Sequence, residues 1–543
     1  MPVEVEIDKK SMSADVGQSL FELAEMMQVQ VPTSCIKNGK CRECLVEITE
    51  GEQFLTPRSA QEEHLKGRFR LSCRARVVSD SGRISCHTLR REAMRIEQHT
   101  QHLPTSFHDI PLAPAVSRQG DRIMLDGREI ARGRKIYGVA ADVGTTTVVV
   151  RLIDLETSDL IAAAAFENPQ RFAGTNVMSR ILFNSQHKGR LQQRTLLGYL
   201  GHILADFGVD PLDIYEMVVV GNTTMRDLFF GLDVSSIGKK PFQSLTEIQY
   251  NLGQRPSTAV VSDGRRLRLP INPKARVLGL PVVSSHVGSD AAACLLAIDM
   301  SRQESPVLLM DIGTNTEIVC RNREKLLVAS CPAGPAFEGG AVSCGMPAMK
   351  GAIEKIRLSQ QGKAEVQVIE EAPAEGVCGS GLIDLLDQLS RHEMINTTGR
   401  YVDGKDRFFV DRDAGIYLSE ADISELAQAK GANSAGVRII LDRAGLTAGQ
   451  LDRLYLAGGF ARYLDTDSAR GIGLIPDVPD SRVCQVGNAA LEGAAMALCS
   501  LPHRQLLDRL ISQAEHIELE KDEGFFDYFI DGCMFTPGPK YDE

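Results

Sequence analysis

Residues 136–152 read IYGVAADVGTTTVVVRL and residues 306–320 read PVLLMDIGTNTEIVC. Each stretch is an apolar run rich in β-branched residues, then Asp-x-Gly-Thr-x-Thr, then a second apolar run, which predicts two strands joined by a tight turn. Asp142 and Asp311 stand 169 residues apart, so the echo predicts two related halves. From Lys135 onward strand-like runs alternate with amphipathic helical stretches, the pattern of an α/β architecture.

The chemistry of these turns is that of an anion site. Glycine lets backbone approach a phosphate closely, and successive N–H groups form a concave positive surface. Gly144, Thr145 and Thr146 in the first turn, and Gly313, Thr314 and Asn315 in the second, are the expected phosphate contacts. Asp142 and Asp311 offer hard carboxylate oxygens to a magnesium ion through water, and are the candidate catalytic pair. Residues 454–460, LYLAGGF, run a strand into Gly458 and Gly459, where an adenosine can approach. GNTTM around Asn222 reads equally as a helix cap or as a nucleotide contact. The Gly- and Pro-rich CPAGPAFEGG at Gly334 favours ligand or partner contact over simple turn chemistry.

Upstream, SCIKNGKCREC places Cys35, Cys41 and Cys44 as C-x5-C-x2-C, with Cys73 farther on. Four thiolates are what a 2Fe-2S cluster takes, and plant-type spacing, C-x4-C-x2-C with a distant fourth ligand, differs by one residue. A structural zinc site is the competing reading, but zinc ribbons use paired C-x2-C knuckles and only one occurs here. VEVEI, a helical stretch over 17–28, the cysteine loop, LVEI, the polar helix RSAQEEHL and a final strand RLSCRARVV carrying Cys73 predict an α+β, β-grasp domain over residues 1–90. Residues 91–135 read as a linker or a very small connecting element, and 136–543 as the nucleotide region, its two lobes parting near residue 300.

Composition narrows the function. The chain has 543 residues, 43% hydrophobic and 24% charged, with a formal net charge of -11, so no basic nucleic-acid footprint is expected. No apolar run is long enough for a membrane span, and the expected location is the cytoplasm. The thirteen cysteines are an odd and unevenly spread set, unlike a disulfide framework; those outside the N-terminal loop lack ligand spacing, and Cys86 reads as a buried thiol.

The two Asp-x-Gly-Thr turns and the later Gly-Gly resemble the phosphate-1, phosphate-2 and adenosine motifs of the acetate and sugar kinase, Hsp70 and actin superfamily. Within it, the chain resembles the reductive activators of corrinoid enzymes. ENPQRFAGTNVMSRI at Asn168, VVVGNTTM at Asn222, SSHVGSDAAA at Asp290, SCPAGPAFEGGAVSCGM, VCGSGLIDLL at Ser380 and FFDYFIDGCMF carry that likeness. The stretch FAGTNV departs from the YGADV form usual there, and the linker is shorter than the family often has. The resemblance implies an actin-like ATPase region of two related lobes behind a ferredoxin-like domain, binding one 2Fe-2S cluster and ATP with Mg2+. It implies an ATP-hydrolysing reductase that returns the Co(II) corrinoid of a partner methyltransferase protein to Co(I), fed by an upstream low-potential electron donor. A homodimer is left open. An activator of radical dehydratases, a sugar or carboxylate kinase, and a nucleotide-regulated electron-transfer protein are the alternatives.

Overall fold

The computed structural model describes residues 3–33, 35, 37–89, 103–187, 189–459 and 461–536. The start of the expected linker, up to residue 102, and Phe460 of the Gly-Gly motif lie outside these. The described residues divide into two compact units, one within Met1–Ile96, Leu112–Pro281 and Leu498–Leu501, the other within Glu97–Pro111, Val282–Ala497 and Pro502–Glu543.

The first unit opens with a five-stranded sheet, ordered β2-β1-β5-β3-β4. Its strands are β1 (Val3–Ile7), β2 (Lys10–Ala14), β3 (Leu45–Glu50), β4 (Phe69–Leu71) and β5 (Arg83–Thr88), with helix α1 (Leu20–Met26) packed on it. Alternation in β1 drives Val3, Val5 and Ile7 fully into the core. Ser19 starts α1 through a capping box, accepting from the Glu22 N–H at 3.2 Å while its own N–H donates to the Glu22 carboxylate at 2.7 Å.

Three expectations change here. The sheet has five strands, because the polar KSMSA of β2 pairs as an edge on β1 and Arg83–Thr88 pairs parallel to it. RSAQEEHL forms only one 3-10 turn, Ala60–Glu62, because the buried Glu62 carboxylate turns inward to accept from Arg70 Nε at 2.9 Å and from the Leu71 N–H at 3.0 Å. Cys73 lies in the turn after β4; the final strand is β5, and it carries the buried Cys86.

The stretch read as a linker holds a small antiparallel sheet of β6 (Val116–Gln119), β7 (Arg122–Leu125) and β8 (Arg128–Arg132). The Asp126-Gly127 pair turns between β7 and β8 with both residues at positive φ, 48° and 76°, as two-residue hairpin loops require.

The rest of the first unit is a six-stranded sheet ordered β11-β10-β9-β12-β14-β13. It comprises β9 (Tyr137–Val143), β10 (Thr147–Asp154), β11 (Leu160–Glu167), β12 (Ile214–Val220), β13 (Val260–Asp263) and β14 (Arg276–Gly279). Helices α2 (Val177–Gln186), α3 (Leu191–Ala205) and α4 (Thr223–Phe230) complete its core. β9 pairs antiparallel with β10 and parallel with β12.

The second unit repeats that scheme. β15 (Val307–Ile312) pairs antiparallel with β16 (Thr316–Arg321), which pairs with β17 (Leu326–Cys331), while Arg453–Ala457 runs parallel to β15 on its other side. The sequence echo is therefore an echo of topology: each Asp-x-Gly-Thr turn joins the central strand of a sheet to its antiparallel neighbour. No helix among the described residues is long and apolar enough to cross a membrane.

Candidate functional site

The cysteine loop wraps back on itself between α1 and β3, and its thiols fall into two pairs. Cys44 and Cys73, both buried, bring their sulfurs to 3.3 Å. Cys35 and Cys41 are hydrogen-bonded to each other. Burial raises the Cys35 thiol, but N–H groups of Cys41, Asn38 and Lys40 donating to the sulfur outweigh it and bring it down to about 7. In the other pair, the hydrogen bond from Cys44 and the Gly39 N–H lower Cys73, while bonding to Cys73 and burial push Cys44 up. Backbone donors aimed at sulfur favour the thiolate, the form that binds metal. No three His, Cys, Asp or Glu side chains among the described residues converge as a single ion needs. A two-and-two arrangement suits two irons, each taking two thiolates, so these residues fit a 2Fe-2S cluster.

The first Asp-x-Gly-Thr turn is organised from behind. Asn168 donates its side-chain N–H to the Gly144 carbonyl at 2.7 Å, and its backbone N–H to the Thr146 carbonyl at 2.7 Å. Arg180, fully buried, donates to the Thr145 carbonyl at 2.6 Å. Three successive carbonyls of the turn are thereby anchored, and in a trans peptide each N–H points away from its own carbonyl. Anchored peptides of this kind are the framework an anion nest needs. Of the two readings weighed for Asn222, the structure shows the cap: it accepts from the Met225 N–H at 3.0 Å at the start of α4, and it also donates to Thr145 Oγ1 at 3.0 Å. Asp142, half-buried, ends in β9 just before this turn.

The atypical FAGTNV segment has its own local logic. Asn176 caps α2 by accepting from the Ser179 N–H at 2.8 Å, and Arg180 on that helix returns to the Gly174 carbonyl at 3.0 Å. Changing Asn168 to alanine removes one of the nest's supports, so ATP affinity is expected to fall about tenfold, the ~1.4 kcal/mol of a single buried hydrogen bond. Titration calorimetry checks this; an unchanged Kd contradicts the nest.

In the second unit Asp311 lies near the end of β15, and burial pushes its carboxyl up to about 6 despite the Cys294 thiol donating to Oδ2 at 3.5 Å. Glu317 is raised well above its usual range by burial and by the carboxylates of Asp290 and Asp311. Asp290 and Asp311 thus lie close enough to Glu317 to disfavour its charged form, beside the second Asp-x-Gly-Thr turn. The Gly334 N–H donates to the Thr314 carbonyl at 2.8 Å, and Thr314 Oγ1 donates to the Glu338 carboxylate, which fastens the CPAGPAFEGG loop to Gly313–Asn315. Gly458 sits beside β15 with φ of 107°; a Cβ there would lie 2.3 Å from the Ile312 carbonyl, so only glycine fits. Gly459 follows, facing open space.

The structure thus brings Gly144, Thr145, Thr146 and Asn222 together in one unit, and Asp311, Gly313, Thr314, Asn315, Gly334 and Gly458 in the other. Sequence reasoning did not single out Asn168, Arg180, Asp290, Glu317 or Glu338 as site residues. The first two act on backbone carbonyls over 20 residues away, which leaves no local pattern; the quoted stretches around Asn168, Asp290 and Gly334 were the available signal.

Fold and site define a protein in which a ferredoxin-like iron-sulfur domain precedes a duplicated nucleotide-binding fold. Family models agree over most of the chain: "2Fe-2S iron-sulfur cluster binding domain" matches residues 3–78, "RACo middle region" residues 137–303, and "C-terminal domain of RACo the ASKHA domain" residues 305–541. The chain belongs to the reductive activators of corrinoid enzymes, the RACo-type proteins. It is 27% identical to "Corrinoid activation enzyme RamQ" of Eubacterium limosum, across 98% of this chain and 97% of that one. It is 23% identical to "[Co(II) methylated amine-specific corrinoid protein] reductase" of Methanosarcina barkeri, across 73% of this chain and 76% of the relative. A solved structure, "Reductive activator for corrinoid,iron-sulfur protein", superposes with a TM-score of 0.71 at 26% identity, covering 99% of this chain and 98% of that chain.

Proposed function

We propose that the chain is an ATP-dependent reductive activator that returns the Co(II) corrinoid of a partner protein to Co(I), one electron per turnover. The observation that carries this reading is the union, in one chain, of paired thiols fit for two irons with two carbonyl-anchored phosphate turns. The family membership and the names of the relatives support it.

The cluster, when bound by Cys35, Cys41, Cys44 and Cys73, supplies the single electron. Plant-type clusters sit at roughly -400 mV. Co(I) corrinoids are stronger reductants, and each 100 mV of deficit is about 2.3 kcal/mol per charge. Nucleotide must therefore bind one state of the protein and its partner better than the other, since a ligand shifts an equilibrium only by differential affinity.

The roles follow from position. N–H groups of Thr145, Thr146 and Thr147 face one group of phosphate oxygens, and the turn of Gly313, Thr314 and Asn315 serves another. Within the first unit Asp142 would offer a carboxylate to Mg2+, and within the second Asp311 would do so, with Asp290 and Glu317 adding negative charge nearby. An upstream low-potential donor refills the cysteine site. The corrinoid is carried by the partner, as the D-x-H-x-x-G pattern of cobalamin carriers is absent from this sequence.

The test is ATP hydrolysis by the anaerobically reconstituted chain with and without a Co(II) corrinoid protein. Stimulation by the Co(II) form is the expected result. Phosphorylation of a small molecule in place of that stimulation removes the reading and favours a kinase.

A further inference from the structure

Within the first unit, residues 168–172 touch both the phosphate turn and the cysteine domain. At one end Asn168 holds the carbonyls of Gly144 and Thr146. Four residues on, Phe172, 2% exposed, lies edge-to-face on His64 with ring centroids 5.8 Å apart and planes at 84°. Phe172 belongs to the same buried apolar cluster as Cys44 and Cys73. Between these ends, Arg171 pairs with Glu167 and reaches to 3.8 Å of the Glu47 carboxylate on β3. Burial lowers His64 to about 4, so it meets Phe172 as a neutral ring.

A second contact runs beside the first. α3 brings Gly198 so close to Glu43 that a Cβ would lie 2.8 Å from its carboxyl carbon, and His202, one turn on, stands 3.5 Å from Glu43 Oε2. α3 is tied to the same turn, since Gln170 donates to the Gln192 carbonyl at 3.3 Å. Glu43 directly precedes Cys44. The phosphate turn and the thiol loop are thus separated by one short 3-10 turn and one helix face, all close-packed. Packed interiors pass displacement on because they have no slack to absorb it.

We propose that Arg171 and Phe172 are positioning residues that couple nucleotide binding at Gly144–Thr146 to the redox state of the cysteine domain; this rests on the function proposed above. The sign follows from charge. ATP brings negative charge to the first unit and one-electron reduction adds more, so nucleotide favours the oxidised form and lowers the midpoint potential. Linkage makes the effect reciprocal. A tenfold tighter binding to the oxidised chain corresponds to a potential ~59 mV lower with nucleotide bound.

The experiment is an anaerobic redox titration of the full reconstituted chain, followed by its visible absorbance, with and without a non-hydrolysable ATP analogue. The Kd of that analogue is measured in parallel for the oxidised and reduced forms. The parent chain is expected to bind about tenfold tighter when oxidised. In Phe172→Ala that ratio is expected to fall below about twofold, with absorbance and analogue binding retained, and Phe172→Leu to restore part of it. A through-space charge effect alone survives Phe172→Ala, and that result overturns the positioning role. So does a parent chain whose potential ignores the analogue. Should Phe172→Ala lose its absorbance, Arg171→Gln decides by the same ratio. Coupling present without any Co(I) formation sinks the proposed function and leaves the coupling; Co(I) formation without coupling does the reverse.

Discussion

Cys44→Ala is expected to lose the visible absorbance of the reconstituted protein and all Co(II) reduction, while binding ATP within about threefold of the oxidised parent. Cys44 sits in the buried pair with Cys73, so alanine takes away one of the four thiolates. The β-grasp core of Val3, Val5, Ile7, Leu20 and Leu23 is a separate apolar cluster that does not include Cys44, so the domain has reason to keep its fold. Iron analysis, absorbance and calorimetry on the same sample read the three outcomes. Simultaneous loss of cluster and ATP binding contradicts the division of labour between thiol loop and phosphate turns.

Asp311→Asn is the second large effect: ATP turnover falls by about 10²–10³ while the cluster spectrum is unchanged. Asp311 is half-buried, its carboxyl is raised toward neutrality by desolvation, and together with Asp290 it raises the neighbouring Glu317. Such a cluster is costly to ionise without a cation, and placing Mg2+ beside it reverses that cost. Asparagine keeps the shape and removes the charge. Steady-state ATPase at saturating ATP and varied Mg2+ checks the effect; turnover within a factor of a few of the parent removes Asp311 from the metal site.

The parts legible in the sequence were those written locally. C-x5-C-x2-C and Asp-x-Gly-Thr-x-Thr place several candidate ligating groups within a few residues, so spacing alone points to them, and the repeat of the second motif carries over to matching sheets. Asn168 and Arg180 were hidden because their partners are carbonyls of residues 144–146, and a carbonyl has no residue type. Glu338 was hidden for a related reason, since its bond to Thr314 spans 24 positions and a glycine-rich loop with no period. The sheet over Val116–Arg132 was missed because its strands are short and charged, SRQ and REIAR showing little alternation; the Asp126-Gly127 pair was the readable sign of a hairpin. Cys73 was assigned to a strand because RLSCRARVV alternates, yet pairing stops at Leu71 where the chain turns toward Cys44.

Cobalt absorbance gives the most direct test. A partner corrinoid protein poised as Co(II), with a reductant too weak to make Co(I) unaided, is followed anaerobically after adding the reconstituted chain, first with a non-hydrolysable analogue and then with ATP and Mg2+. The Co(I) band is expected to grow with ATP and to be absent when Cys44→Ala replaces the parent chain. A Co(II) spectrum that stays flat with ATP, the thiol site loaded and the partner bound contradicts ATP-driven electron delivery by this protein.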